Sequence, residues 1–187
     1  MVPSADHHAL DNGLAAEPSV RLFVLNENQW RFEHEWPLAR TEYTDFFLHS
    51  DGSANTVGGD GSLSTEEPGG ERPDEYEYDP RDPVMSMMGL DAQAAARDQA
   101  PLAHRKDILV FQTPILEHAV EVTGPVVLKL FASSSAPDTD WTAKLIDVQP
   151  DGTAVNLTYG ILRASYRDGY DDPTSIEPGR EDEYTIK

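Results

Sequence analysis

The sequence predicts an all-β fold, either a β-sandwich or a jelly roll. Apolar residues alternate with a period of two, the period of a strand, in residues 19–25 and again in 126–132. Gly, Pro and Asp turn signals interrupt the chain at short intervals, which is typical of sheet proteins with many short strands. Further β-rich runs cover residues 107–113, 119–124, 142–148 and 160–167.

The remaining segments predict one domain with a long polar insertion. A chain of 187 residues is long enough for a single core. Residues 1–14 read as a tail, and 15–187 as the domain itself. Residues of about 50–105 are rich in Gly, Pro, Ser and acidic side chains, so we expect surface loop with one short strand around Tyr76 and Tyr78. A short helix is expected over 90–100, where Ala and Gln favour helix.

The composition argues against two classes of partner. The chain carries 14 Lys and Arg against 34 Asp and Glu, a formal charge of -20. Such a charge repels a phosphate backbone and an anionic lipid surface, so neither nucleic acid nor a membrane is expected as a partner. There is no cysteine, no signal-like apolar run near the N-terminus and no stretch that could cross a bilayer. We therefore expect a cytoplasmic protein.

The motifs of common active sites are missing. No serine stands in a G-x-S-x-G elbow; the nearest approaches, "GDGSLS" at 59–64 and "ASSSA" at 132–136, read as turn and strand-end residues. The histidines form no H-E-x-x-H. Calcium would need a D-x-[DN]-x-[DN]-G loop, and Asp138 with Asp140 supplies only two carboxylates. The sequence predicts no catalytic residue, no metal ligand and no cofactor in this chain.

Two aspartates are expected to shape the ends of a strand within "APDTDWTAKLIDVQPDG", residues 136–152. Asp138, after a proline, begins a turn. Asp140 is placed to accept backbone N–H groups where the strand begins. Residues 150–152, Pro-Asp-Gly, then close a hairpin.

Asp147 poses a different problem, because it lies within the strand on the face of Trp141. A buried carboxylate needs a cation or N–H donor. Arg163 and Arg167, on the next strand, are the expected partners. These residues form our set of structural positions: Asp138, Asp140, Trp141, Asp147 and Arg163.

The same stretch carries a family resemblance. "SSSAPDTDWTAKLIDVQPDGTAVNLTYGILRASYR" resembles the C-terminal domain of the cocaine-esterase-like and X-prolyl dipeptidyl-peptidase (CocE/NonD) serine hydrolases. "VRLFVLNENQWRFEHEWPLARTEYTDFFLHSDGSANT", "GDGSLS", "PDEYEYDPRDPV" and "RKDILVFQTPILEHAVEVTGPV" follow in the family's order, from about residue 12 onwards. The resemblance implies a galactose-binding-like jelly roll beside an α/β-hydrolase domain that carries the Ser, Asp and His of catalysis.

The resemblance implies a non-catalytic accessory domain that supports an α/β-hydrolase domain or subunit and borders its substrate cleft. A loop of roughly 85–98 would approach the cleft, and Met87, Met88 and Leu90 would line its wall or pack on the domain's own core. The alternative is a carbohydrate-binding module that stacks sugars on Trp30, Trp36 and Trp141. A chain fragment with no independent role is a third reading.

Two departures from the family shape further expectations. Met85-Ser86-Met87-Met88-Gly89 replaces the family's usual Gly-Gly pair after "DPV", which leaves the path of this loop open. The family's domain continues beyond "DEYTIK" into more strands. Missing strands would leave backbone groups unpaired and a core face uncovered, so we expect a homodimer or strand exchange to close the sandwich, or an unusually loose fold.

Overall fold

The structure is a computed structural model that describes residues 18–87 and 98–187. These residues form an all-β fold, as the sequence predicted. The strands pair antiparallel in four two-stranded ladders, β1–β2, β3–β4, β5–β8 and β6–β7. The strands are β1 (Val20–Val24), β2 (Gln29–Glu33), β3 (Phe47–His49), β4 (Ser62–Ser64), β5 (Leu128–Ala132), β6 (Asp140–Val148), β7 (Ala154–Arg163) and β8 (Asp182–Ile186), with 3-10 helices at Ala100–His104 and Ala164–Tyr166.

The chain divides into two compact units, of which the first contains the hairpin β1–β2 and the segment Glu121–Pro125. Asn26 and Asn28 turn the hairpin with positive φ angles of 67° and 53°, which Asn tolerates better than most residues. Arg31 donates two hydrogen bonds to Glu121, at 2.7 and 3.0 Å, and so ties the hairpin to the returning segment. This ion pair lies on the face of the hairpin that also carries Leu22.

The second unit contains the apolar core, between the ladders β5–β8 and β6–β7. Tyr184 of β8 is fully buried and packs against Trp141 of β6, with ring centroids 5.6 Å apart. Gly160 of β7 has no room for a side chain, because an added Cβ would lie 2.6 Å from Ile186 Cγ2. The buried cluster consists of Leu162, Ala164, Ile176, Tyr184 and Ile186.

The described residues of the predicted polar insertion belong to the second unit and are held by hydrogen bonds. Asp74 accepts the Ala54 N–H and the Ser50 hydroxyl, both at 2.7 Å, and Ala54 is completely buried. Ala54 in turn accepts the Val110 N–H at 2.8 Å. Gly61 is required beside this contact, since a Cβ there would lie 2.0 Å from the Val110 carbonyl oxygen. Carboxylates and backbone groups therefore hold this region where apolar side chains are scarce.

Three predicted elements differ from the structure. Residues 107–113 form an isolated parallel bridge to β4, between Gln112 and Ser62, but no ladder, because other backbone bonds of this segment go to loop residues such as Ala54. Residues 119–124 also form no strand, and Val120 and Val122 are exposed. Tyr76 and Tyr78 are exposed coil. The helix expected over 90–100 falls almost wholly outside the described residues; a 3-10 helix starts at Ala100.

Candidate functional site

The two aspartates at the entry to β6 fasten it to β7 and to the 3-10 helix that follows, but in roles that differ from the prediction. Asp138 accepts the backbone N–H groups of Thr139 and Ser165, at 3.0 and 2.9 Å, and the Ser165 hydroxyl at 3.0 Å. Asp140 instead receives two hydrogen bonds from the Arg163 guanidinium, at 2.9 and 3.0 Å. Arg163 lowers the pKa of Asp140. The expectation that Asp140 caps backbone groups was wrong, because Asp138 occupies that position.

The expected pairing of Asp147 with Arg163 or Arg167 was also wrong. Arg163 is opposite Asp140, seven residues from Asp147 and so about 23 Å away along β6. Arg167 donates to the carbonyl oxygens of Ala164 and Thr174. Asp147 is half-buried and accepts a hydrogen bond from the Gln149 side-chain amide. The need for an N–H donor was correct, and the hairpin residues supply it locally.

The hairpin that joins β6 to β7 is formed as predicted. The Gly152 N–H donates to the Gln149 carbonyl oxygen at 2.9 Å, and Gly152 has a φ of 87° that favours glycine. Asp151 accepts the Thr153 N–H at 2.9 Å. This short turn lets β6 and β7 pair along their whole length, apart from one irregularity beside Leu145.

The loop expected at a substrate cleft is described only in part. Met87 is half-buried and has a positive φ of 56°, and Met85 is exposed. Met88 and Leu90 lie outside the described residues. Whether Met87 faces a cleft or the domain's own core stays a prediction.

One face of the hairpin β1–β2 is an exposed aromatic surface. Phe23 and Trp30 are directly opposite each other, with ring centroids 5.2 Å apart in an edge-to-face arrangement. The Arg21 guanidinium lies 4.3 Å from the Trp30 ring and 5.3 Å from the Phe32 ring. Trp30 is nevertheless 55% exposed. We call this surface, made of Arg21, Phe23, Leu25, Trp30 and Phe32, the aromatic face.

The sequence reading missed a cluster on the hairpin β3–β4. His49 of β3 places Nε2 3.1 Å from the Ser64 hydroxyl and Nδ1 2.7 Å from a carboxylate oxygen of Glu71. Ser64 belongs to "GDGSLS", which lacks the G-x-S-x-G pattern and is typical of turn and strand-end residues. No fixed spacing joins the three residues, because His49 and Ser64 meet through strand pairing and Glu71 returns from a loop. Only the folded chain reveals the cluster.

The described residues contain neither a candidate metal site nor a candidate membrane-spanning helix. Within residues 18–87 and 98–187, no group of three or more His, Asp and Glu side chains is arranged to hold a metal ion. In that same part of the chain, no helix is long and apolar enough to cross a membrane.

Comparison with known proteins identifies the family. The model of the X-Pro dipeptidyl-peptidase C-terminal non-catalytic domain matches residues 12–182. The chain belongs to this family. It is 49% identical over 172 residues to the cocaine esterase of Rhodococcus sp. (strain MB1 Bresler), a match that covers 90% of this chain and 30% of that protein. It is 30% identical over 176 residues to a putative serine esterase of Mycobacterium bovis, with 90% and 26% covered.

Solved structures agree with this assignment. An aminopeptidase from a marine sediment archaeon, Thaumarchaeota archaeon, superposes with a TM-score of 0.78 at 30% identity, over 91% of this chain and 29% of that one. A selenomethionine-labelled α-amino acid ester hydrolase gives a TM-score of 0.72 at 26% identity, over 90% and 30%. The chain thus spans about 30% of these relatives, and the expected non-catalytic C-terminal domain is confirmed.

Proposed function

We propose that this chain is the accessory domain of a two-part hydrolase and docks on an α/β-hydrolase domain that performs dipeptidyl-peptidase or carboxylic ester hydrolysis. The names of the matched relatives support this activity, since they are a cocaine esterase, an aminopeptidase and an α-amino acid ester hydrolase. The extent of the match supports the division of labour, because those proteins are about three times longer than the matched region. Cytoplasmic location stays a prediction of the sequence.

The aromatic face is the observation that carries the docking proposal. It presents three aromatic rings, between 42% and 55% exposed, on one side of a two-stranded hairpin, and Leu25, 61% exposed, follows in the turn. The two carboxylates of residues 20–33 lie elsewhere: Glu27 is in the turn and Glu33 is on the opposite face. An acid-free apolar surface on a chain of charge -20 suits burial against a protein. Such burial contributes roughly 25 cal/mol for each Å² of apolar surface removed from water.

We also propose that the domain borders the substrate cleft of the α/β-hydrolase domain. Met87, together with Met88 and Leu90 from the undescribed stretch, would give the cleft an apolar wall. In the described part of this loop the Met85 side chain is exposed, which supports a position at the surface of the domain.

Co-purification tests the docking. The chain would be co-expressed with the part of the Rhodococcus cocaine esterase that it does not match, carrying the only affinity tag. We expect the untagged chain to be retained, and Trp30→Glu to abolish retention because it places a charge in the aromatic face. Tyr170→Glu is the matched control, since Tyr170 is 79% exposed and lies in the other unit. Equal retention of Trp30→Glu and Tyr170→Glu would contradict docking through this face.

Activity assays test the division of labour. The isolated chain should not turn over p-nitrophenyl acetate. Sustained turnover that a serine-directed inhibitor abolishes would overturn the assignment of catalysis to another domain.

A carbohydrate-binding module is the second candidate, and the exposure of Trp30 and Trp36 favours it. The three-tryptophan platform itself is not formed, because Trp141 packs against Tyr184 in the core. Arg21 also covers part of Trp30. Retardation of the wild type in a polysaccharide affinity gel, lost in Trp30→Ala, would favour this candidate over docking.

A homodimer formed through exposed sheet residues is the remaining proposal. Exposed apolar residues on β5 and β7, such as Phe131 and Ile161, support it. Light scattering that gives the mass of one chain would count against it.

A further inference from the structure

Hydrogen bonds connect three side chains in the order nucleophile, base and carboxylate: Ser64, His49 and Glu71. Ser64 Oγ lies 3.1 Å from His49 Nε2, and His49 Nδ1 lies 2.7 Å from Glu71 Oε1. A hydroxyl within hydrogen-bond reach of a base that a third group orients is the arrangement that activates serine for acyl transfer. All three residues belong to the second unit of the chain.

The backbone holds each member of this cluster in place. His49 pairs with Ser62 in the β3–β4 register, so the side chain of Ser64, two residues further on, lies diagonally next to the imidazole on the same face. Glu71 is fixed from its other oxygen, which accepts the Ser50 N–H at 3.0 Å. With Nδ1–H directed at Glu71, the neutral imidazole presents the lone pair of Nε2 to the Ser64 hydroxyl.

We propose that Ser64 is an acyl acceptor, which takes one acyl group from an activated carboxylic ester with His49 as the base and Glu71 as a positioning residue. In this step Ser64 Oγ attacks the ester carbonyl carbon while its proton moves to His49 Nε2. The new Oγ–C bond remains, and the bond between the carbonyl carbon and the ester oxygen breaks. The alcohol part of the ester leaves, as a phenolate when the donor is a phenyl ester. The imidazolium then releases its proton to water. The products are acyl-Ser64 and the free phenol or phenolate.

The surroundings limit the reaction to a single acylation. The Glu66 N–H donates to Ser64 Oγ at 3.1 Å, so it is engaged by the nucleophile and does not point at a carbonyl oxygen. The nearby pocket, of about 220 Å³, is lined by other residues: Asp51, Gly52, Ser53, Arg72, Pro73 and Glu75. Acylation without turnover is consistent with membership of a non-catalytic domain family.

The charged groups around His49 set the pH at which it acts. The hydrogen bond that the imidazole donates to Glu71 is the largest cause of a raised His49 pKa, and the backbone and the charge of Glu66 raise it further. Below that pKa the imidazole is protonated and has no lone pair for the serine proton. The acylation rate should therefore rise with pH, with its inflection above the ordinary value of 6.5.

The test uses the full chain with p-nitrophenyl acetate as the acyl donor. We expect a burst of about one p-nitrophenolate per chain, and peptide mapping by mass spectrometry should place the acetyl group on Ser64. Ser64→Ala should lose the burst. Ser62→Ala is the matched control, since Ser62 lies two residues away in the same strand and is exposed, and it should keep the burst. An acetyl group on another residue of the wild type, or an unchanged burst in Ser64→Ala, would overturn the proposal.

The pH dependence of the acylation rate tests the role of Glu71. Glu71→Gln should move the inflection of the pH–rate profile to lower pH, because the carboxylate no longer stabilises the imidazolium. A change in the burst rate with no movement of the inflection would show that Glu71 does not act through His49. Peptide mapping of the wild type remains decisive if either variant folds poorly. This proposal rests on geometry separate from the aromatic face, so its failure leaves the docking proposal intact. Sustained turnover would contradict both the single acylation proposed here and the assignment of catalysis to another domain.

Discussion

The sandwich core and the polar region around β3–β4 lie in the same unit and are stabilised in different ways. In the core, Tyr184 and Leu162 are buried among other apolar side chains, so removal of hydrocarbon from water provides the stability. Around β3–β4 the buried residue Ala54 has a small side chain, and Asp74 holds its backbone through a hydrogen bond. The comparison shows how a chain with 39% hydrophobic residues can order a long polar segment: it uses its many carboxylates as acceptors for backbone N–H groups.

The largest effect should come from the core. Tyr184→Ala removes a fully buried ring and should lower the free energy of unfolding by about 3 kcal/mol or more. Urea denaturation followed by tryptophan fluorescence measures this, since Trp141 contacts the ring. Tyr43→Ala is the control at an exposed position of the same unit and should stay within about 0.5 kcal/mol. Similar losses for the two variants would mean that the core does not dominate stability.

A smaller effect should come from the polar region. Asp74→Ala leaves the buried Ala54 N–H without its acceptor and should cost about 1–3 kcal/mol. Asp60→Ala is the control, because Asp60 accepts the N–H groups of Asp51 and Ser53, which are exposed and can turn to water. Both variants are measured by the same urea titration. If Asp60→Ala lowered the free energy of unfolding by the same amount, loss of the acceptor would cost no more at a buried N–H group than at an exposed one.

The pair of His49 and Glu71 should make the stability of the polar region depend on pH. The pKa of His49 is raised above 6.5, so its contribution is complete below pH 6.5 and is lost as the pH rises through the folded-state pKa. The pKa of Glu71 is lowered below 4.5, so its contribution is complete above pH 4.5 and is lost as the pH falls through the folded-state pKa. The melting temperatures of the wild type and His49→Gln should therefore differ most between pH 4.5 and 6.5. A difference in melting temperature that grows above pH 8 would contradict the upward shift of the His49 pKa.

The smallest effect should come from the exposed ion pair at the entry to β6. Arg163→Ala breaks two hydrogen bonds with Asp140, but both side chains are largely solvated and water replaces the contact. We expect no shift of the urea midpoint. Asp138→Ala is the informative partner variant, since it deprives the Ser165 N–H of its acceptor and should lower the midpoint. If Arg163→Ala shifted the urea midpoint more than Asp138→Ala, the contact of Asp140 would stabilise the protein more than the contacts of Asp138, contrary to this prediction.

The core hairpin was predictable because its determinants are local. The alternation in residues 142–148 and the Pro-Asp-Gly turn specify β6, its inward face and its connection to β7. The strands expected at 107–113 and 119–124 failed for the opposite reason. β-branched residues favour extended backbone, but a ladder also needs a partner strand, and the bonds of Val110 and Gln112 go to Ala54, Gly61 and Leu63.

The sequence by itself determined the all-β class, the family and the absence of a serine elbow, because each depends on residue types at short fixed spacings. Only the tertiary structure decided that Asp138 caps backbone groups while Asp140 binds Arg163, and that Ser64 meets His49 and Glu71. Apart from the bond between Asp138 and its neighbour Thr139, these contacts join residues 15 to 27 positions apart along the chain. Strand register and loop return bring such residues together, and neither is written in a local pattern.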